Sequence, residues 1–315
     1  MKTILRNLAA VALASAALGA QAQSSLKFLI PSNPGGGWDQ TGRTLGKVMT
    51  DNKVISSAQY ENKGGAGGTI ALAQFVSAAK GDPNQVMIGG QAMVAAVELN
   101  KSPVKVQQAT PLARLVAEYS VIVVPVNSPY KTMGDLIKAF KENPGKVSWG
   151  AGSAGSTEHL LIGLIAKAVG VEPGKINYIA FKGGGEAVPA IIGGHVVAGA
   201  SGLGEFQEHI KSGKMRALAV SSPTAMEGIP SLKEQNIDVV FGNWRGIWGA
   251  PGITPAQRDE LVKKVQAATE SAEWKGMLTK MNWTPAYISG AEFEKFVNNE
   301  SQTLGQLVDS LGLRK

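Results

Sequence analysis

The sequence predicts an α/β protein built as two similar lobes, and three observations carry that reading. Short apolar strands alternate with amphipathic helices along most of the chain, the pattern that yields sheets flanked by helices. Glycine is about twice as common as usual, 39 of 315 residues, with no collagen period and no low-complexity tract. Those glycines gather in four loops that form two matched pairs. A chain of 315 residues has ample core for two lobes of medium size.

Residues 1–22 stand apart from the rest. Lys2 and Arg6 precede a small apolar run, Leu8 to Leu18, and Ala20-Gln21-Ala22 has the small-x-small form of a cleavage site. The run is shorter than the roughly 18 apolar residues that a membrane span needs. We expect a signal peptide cleaved after Ala22 and export of the mature chain. No cysteine follows the site, so a lipid anchor at a mature N-terminal cysteine is excluded.

The strand candidates are Leu26–Pro31, Tyr119–Val126, Val147–Trp149, Ile176–Phe181, Val196–Ala200 and Met215–Val220. A helix after Gly37 carries Leu45, Val48 and Met49 on one face. Ser156 opens a helix to Val169, with Glu158 in its first turn. Thr254-Pro255 is an N-cap and N1 pair for a helix with Leu261, Val265 and Ala268. A last helix spaces Phe293, Phe296, Val297, Leu304, Val308 and Leu311 as core residues.

The glycine loops repeat. In the first half one strand end carries Ser32-Asn33-Pro34-Gly35-Gly36-Gly37, and a second carries Lys63-Gly64-Gly65-Ala66-Gly67-Gly68. In the second half the matching segments are Gly150-Ala151-Gly152-Ser153-Ala154-Gly155-Ser156-Thr157 and Lys182-Gly183-Gly184-Gly185. Gly35 and Gly64 are 29 residues apart, Gly155 and Gly183 are 28 apart. Any one such loop is ordinary turn chemistry; four in matched pairs indicate two lobes that each present two loops to a common cleft. Glycine lets backbone approach a ligand, and the helix behind it offers unpaired N–H groups and a positive dipole end, so an anion binds without Arg or Lys. Ser32, Asn33, Ser153, Ser156 and Thr157 serve either as ligand partners or as helix caps.

Composition removes several function classes. A chain without cysteine has no thiolate metal site, iron–sulfur cluster, cysteine nucleophile or disulfide. The net charge of +7 is not gathered in any Lys/Arg block, so no nucleic-acid partner is expected. His159, His195 and His209 lack metal-ligand spacing, and no P-loop is present. Gly150-x-Gly152-x-x-Gly155 matches a dinucleotide fingerprint in form, but Lys182 stands where an acid is needed. Ala151-Gly152-Ser153-Ala154-Gly155 is a near miss to a nucleophile elbow. With no Asp between Ser153 and His209, a triad would have to use a glutamate such as Glu205.

Taken in order, the motifs resemble one family. Phe28-Leu29-Ile30-Pro31, Pro34 to Asp39 and Arg43 look like the first signature of the substrate-binding receptors of tripartite tricarboxylate transporters, or Bug receptors. The likeness continues through Glu61 to Gly68, Gly152 to His159, Phe181 to Gly184, Lys214 to Val220 and Asn243 to Gly246. It departs at Gly89-Gly90-Gln91-Ala92-Met93, where many relatives are Thr-rich, and at Gly64, where Pro is frequent. The resemblance implies a two-lobed type II periplasmic binding protein fold, each lobe a mostly parallel sheet flanked by helices, joined by two crossing strands. It also implies a receptor that captures a small carboxylate and docks transiently on membrane permease subunits. No enzyme activity, cofactor or metal is expected, and the chain is expected to be a monomer. An exported serine hydrolase using Ser153, or a carboxylate sensor for a signalling partner, are the competing readings.

Tyr119–Val126 and the stretch after Val220 are the expected crossings, each separating one loop set from the remainder. That places lobe 1 at 23–122 and 223–315 and lobe 2 at 123–222. Ser32, Asn33, Gly35, Gly36, Gly37 and Trp38, with Gly64, Gly65 and Gly67, are expected to hold a ligand carboxylate from the first lobe. Ser153, Gly155, Ser156 and Thr157 would close over it, and Gln91, Lys182, Ser201 and Glu205 would read its distal part. Glu205 either accepts a hydrogen bond from a ligand hydroxyl or ammonium, or compensates its own helix. Asp39 and Arg43 are expected to be an i,i+4 helix-surface pair; Arg245 is either a distal carboxylate clamp or, the favoured reading since helix N-termini need no such cation, a structural cation near the hinge.

Overall fold

The computed structural model describes residues 25–182 and 184–314. The expected signal peptide, 1–22, and Gly183 of the fourth glycine loop lie outside the described residues.

The chain alternates strand and helix as β1 (Leu26–Ile30), α1 (Gly37–Asp51), β2 (Ala58–Asn62), α2 (Thr69–Ala78), β3 (Gln85–Gly90) and α3 (Gln91–Leu99). After β4 (Thr110–Pro125) come α4 (Met133–Glu142), β5 (Ser148–Ala151), α5 (Thr157–Ala168), β6 (Asn177–Ala180), α6 (Gly184–Ile192), β7 (Ala198–Gly202), α7 (Leu203–Lys211) and β8 (Met215–Val220). The chain finishes with β9 (Gly242–Gly249), α8 (Pro255–Glu270), α9 (Ala272–Met281), β10 (Thr284–Ser289) and α10 (Gly290–Ser310).

Among the described residues the strands run in the order β2-β1-β3-β9-β4-β7-β5-β6, with β8 and β10 also paired to β4. Each half contains a parallel triplet, β2-β1-β3 or β6-β5-β7, extended by antiparallel strands. The C-terminal ends of six parallel strands, each followed by a helix, therefore face one another across a cleft, the usual ligand position in open α/β sheets.

β4 is the spine of the molecule. Its first part, to Tyr119, pairs with β9, and from Ser120 onward it pairs with β7, with β8 joining from Val121. The expected strand Tyr119–Val126 is thus the end of a 16-residue strand. Pairing changes halves at Tyr119–Ser120, ahead of the expected boundary at 122. The return comes later than 223: Leu232, Ile237 and Val239 pack with Ile122, Leu218 and Trp149 of the second half. Phe241, which packs against core residues of both halves, marks the second crossing. Apolar burial, which decides membership of a lobe, holds 229–239 with the second half even though no regular strand runs there.

The last third packs on the first half. Leu261, Val265 and Ala268 of α8 join Phe28, Ile30 and Leu45. Trp248 of β9 is fully buried and meets Phe293 of α10 edge-on at 5.4 Å, with Trp244 at 6.1 Å. Truncating a buried aromatic leaves a cavity worth about 3–5 kcal/mol. Trp248→Ala is expected to lower the free energy of unfolding by that amount, measured by urea unfolding.

Candidate functional site

The site is built from helix N-termini held by polar braces. Gly36, in extended backbone, is the N-cap residue of α1, and no side chain caps this helix. The N–H groups of its first turn therefore point into the cleft without a side-chain partner. Gly35 makes the turn at φ +85° and donates its N–H to Asp39 Oδ2 at 3.0 Å. Asp39 Oδ1 accepts from Arg43 Nε and from Asn62 Nδ2, both at 2.8 Å. Asn62 also donates to the Ser32 carbonyl at 3.0 Å. Asp39 is buried, so this is not the surface pair expected from the sequence: one carboxylate ties loop, helix and the end of β2 together. α2 likewise starts without a side-chain cap, behind a turn at Ala66–Gly68.

In the second half the loop before α5 is braced from beneath. Ser156 is the N-cap, and its Oγ accepts from the His159 N–H at 3.4 Å. His159 Nδ1 accepts the Gly155 N–H at 3.0 Å, which requires a neutral ring with its proton on Nε2. The ring stacks on Tyr178 at 4.0 Å, and the Tyr178 hydroxyl donates to the Gly152 carbonyl at 2.7 Å. Burial holds the imidazole pKa down to about 4, consistent with its acceptor role.

The floor of the cleft is a charged network at the crossing of β4 and β9. Arg245, 2% exposed, donates from Nη1 to the Gly37 carbonyl at 3.0 Å and to Thr41 Oγ1 at 3.2 Å. From Nη2 it donates to Glu118 Oε1 and, at 3.2 Å, to Glu205 Oε1. Asn243 donates to Glu118 at 3.1 Å and accepts from Thr157 Oγ1 at 3.1 Å. The guanidinium lies so close to α1 that a Cβ on Gly37 would collide with it. Burial raises the Glu118 pKa although Arg245 opposes it. Burial likewise pushes Glu205 up to about 7, against the pull of Arg245 and with the repulsion of Glu118 and Glu158. Glu205 Oε2 accepts from Ser201 Oγ at 3.0 Å, which anchors the carboxylate at the start of α7.

These elements line a cleft between the strand ends of the two halves. Of the residues singled out from the sequence, Ser32, Gly36, Gly37, Trp38, Gly67, Ser153, Ser156, Lys182, Ser201 and Glu205 line it. Ser32 is 6% exposed and its hydroxyl has no partner. Others fall outside the lining. Asn33 reaches across the mouth to Glu186 at 2.5 Å, and Gly64 backs onto Asn33. Gly35 and Gly65 supply positive φ for the turns. Gly155 packs on Leu99, and Thr157 is spent on Asn243. Gln91 faces a different cavity, with Arg114, Phe296 and Glu300 behind the hinge, because it opens α3 on the side turned toward α10. Pro31, Ala92, Gly152, Glu158, Asn243 and Arg245 line the cleft without having been singled out for it. Glu158 was visible only as a first-turn acid.

The profile of a receptor family described as "Tripartite tricarboxylate transporter family receptor" matches residues 46–313. The chain belongs to that family. A Cupriavidus necator protein, "UPF0065 protein in gbd 5'region", is 28% identical over 321 residues, covering 98% of this chain and 95% of its own. The periplasmic binding protein BugD superposes with a TM-score of 0.84 at 24% identity, over 93% of this chain and 99% of its own. MatC from Rhodopseudomonas palustris with bound malate gives 0.80 at 20% identity, over 92% and 100%. The fold is therefore that of a two-lobed periplasmic binding protein. Among the described residues no helix is long and apolar enough to cross a membrane.

Two partly buried groups make this receptor's stability depend on pH in opposite senses. His159 has a depressed pKa, so its contribution is full above the ordinary value of 6.5 and is lost as pH falls through about 4. His159→Phe keeps the stack on Tyr178 but orphans the Gly155 N–H. It is expected to cost about 1–3 kcal/mol at pH 7 and to remove that acid-side slope in thermal melts. Glu205 has a raised pKa, so its contribution is full below 4.5 and is lost as pH rises through about 7. The melting temperature of the wild type is expected to fall relative to Glu205→Gln between pH 5 and pH 8.

Proposed function

We propose that this chain is the periplasmic receptor of a tripartite tricarboxylate-type transporter, capturing a small carboxylate between its lobes and delivering it to the membrane permease. The observation that carries the reading is a cleft where the uncapped N-terminus of α1 and the Gly67 turn ahead of α2 meet the buried, unpartnered hydroxyl of Ser32. Unpaired backbone donors at the positive ends of helices are a ready-made anion site. Malate, the ligand of the MatC structure, is a small carboxylate of the kind such a site would hold. The ligand contacts in this reading are Ser32, Gly36, Gly37, Trp38 and Gly67 from the first half, closed by Ser153 and Ser156 from the second. Export follows from cleavage after Ala22, and the working unit is a monomer.

The hydrolase reading has little support in the geometry. Ser153 Oγ points to the Phe181 carbonyl at 3.4 Å, and the Nδ1 of His159 is occupied by the Gly155 N–H. No imidazole among the described residues bonds to the Ser153 hydroxyl.

Isothermal titration with a panel of di- and tricarboxylates tests the receptor reading, and saturable binding by at least one is the expected result. Ser32→Ala is expected to weaken that binding by about tenfold or more, the worth of a hydrogen bond to a charged group. It should leave the melting temperature of the free protein unchanged or higher, since the hydroxyl has no protein partner to lose.

A further inference from the structure

We propose that the cleft selects an amino-carboxylate zwitterion, its carboxylate against the helix N-termini of the first half and its ammonium between Glu158 and Glu205 of the second. This deepens the receptor reading and rests on it.

The two walls of the cleft are unlike in charge. In the first half, α2 and α3 carry no acid in their first turns. The one acid at the start of α1, Asp39, is consumed by Arg43, Asn62 and the Gly35 N–H. That wall offers donors: unpaired backbone N–H groups and the buried hydroxyl of Ser32. In the second half, α5, α6 and α7 each bring a glutamate in the first turn, Glu158, Glu186 and Glu205.

An acid in a first turn compensates its own helix dipole, which accounts for each glutamate taken alone. It does not account for two of them, Glu158 and Glu205, lining one cavity. Glu118 and Glu205 share the cation Arg245, the one buried cation among the described residues, and Glu158 lies close enough to repel both acids. The four hydrogens on its Nη atoms are committed to the Gly37 carbonyl, Thr41, Glu118 and Glu205. Arg245 is thus not free to receive a second ligand carboxylate. Lys182, the other cation lining the cleft, is exposed at the mouth, where its backbone N–H donates to Glu186. Glu158 lines the cleft beside Gly152, and no donor among the described residues bonds its carboxylate. A plain dicarboxylate would bring its second charge against this wall, a repulsion that favours a competing ligand. An ammonium there removes the excess and gives Glu158 the donor it lacks.

Isothermal titration at pH 7.5 with two length-matched pairs, glutarate against 4-aminobutyrate and succinate against 3-aminopropanoate, tests the proposal. The amino member of at least one pair is expected to bind about tenfold tighter or more than its dicarboxylate partner. Glu158→Gln, checked for an unchanged melting temperature, is expected to shrink that preference several-fold, and the wild-type ratios decide alone if the variant fails to fold. Dicarboxylates bound as tightly as, or tighter than, their amino partners overturn this inference and leave the receptor reading standing. No binding by any of the four, nor by any di- or tricarboxylate of the wider panel, overturns both.

Discussion

The rest of the site depends on one buried guanidinium placed where two strands cross. Arg245 lies on β9 opposite Val116 of β4, and the neighbouring Asn243 lies opposite Glu118. Its donors join β9 to α1 through the Gly37 carbonyl, to β4 through Glu118, and to α7 through Glu205. Desolvating charges in this way is costly unless every partner is in place. Losing one member of such a cluster typically costs about 3–5 kcal/mol, because an uncompensated charge remains behind. The network therefore constrains the register of β4 and β9 and the depth at which α1 and α7 approach. It also explains the bare backbone at Gly37, since a Cβ there would displace the guanidinium.

That constraint separates what the chain reveals on reading from what it conceals. The strand-to-helix loops were legible because capping and turn chemistry are local. Ser156 caps α5 and Thr254 caps α8 with partners three residues away, and both are found as expected. β9 was not legible as a strand: Asn243 to Gly249 are all buried, so the period-two alternation that betrays a strand is absent. The first part of β4 was missed for a related reason, because Arg114 and Glu118 interrupt its apolar run and find their partners far along the chain. The local sequence left Arg245 between a ligand clamp and a structural cation, because Glu118, 127 residues away, could not be paired with it from the sequence. Gln91 failed differently. Its position at a strand end suggested the cleft, whereas the orientation of α3 turns it to the cavity behind the hinge.

The glycine repeat and the polar braces divide the work of the site. Glycine supplies close approach and positive φ, but it cannot hold a loop in place, since it has no side chain to anchor. In each half that task falls to one polar side chain tied to a loop N–H: Asp39 to Gly35 in the first, His159 to Gly155 in the second. The two braces differ in chemistry because their surroundings differ. Asp39 is met by the Arg43 guanidinium and the Asn62 amide. His159 is packed flat on Tyr178 and must stay neutral.

Leu160 of α5 packs into the core of the first half with Leu99 and Leu311, and several further contacts between the halves are polar: Asn33 to Glu186, Thr157 to Asn243, and Asn282 to Gln207 at 3.1 Å. Apart from the Thr157 pair, which is buried at the crossing, these bonds lie toward the surface and exchange readily with water, so each adds only about 0.5–1.5 kcal/mol net. By contrast, the crossing itself is covalent and carries the buried charge network that ties Arg245 and α1 to Glu205 of α7. In the receptor reading, a ligand that touched one half alone would bind open and closed forms equally and shift nothing. One that spans from the N-terminus of α1 to the acids of α5 and α7 gains its second set of contacts only when the halves meet. Its differential affinity then drives closure. Placing donors on one wall and acceptors on the other makes that spanning contact a condition of tight binding, so recognition and closure become one event.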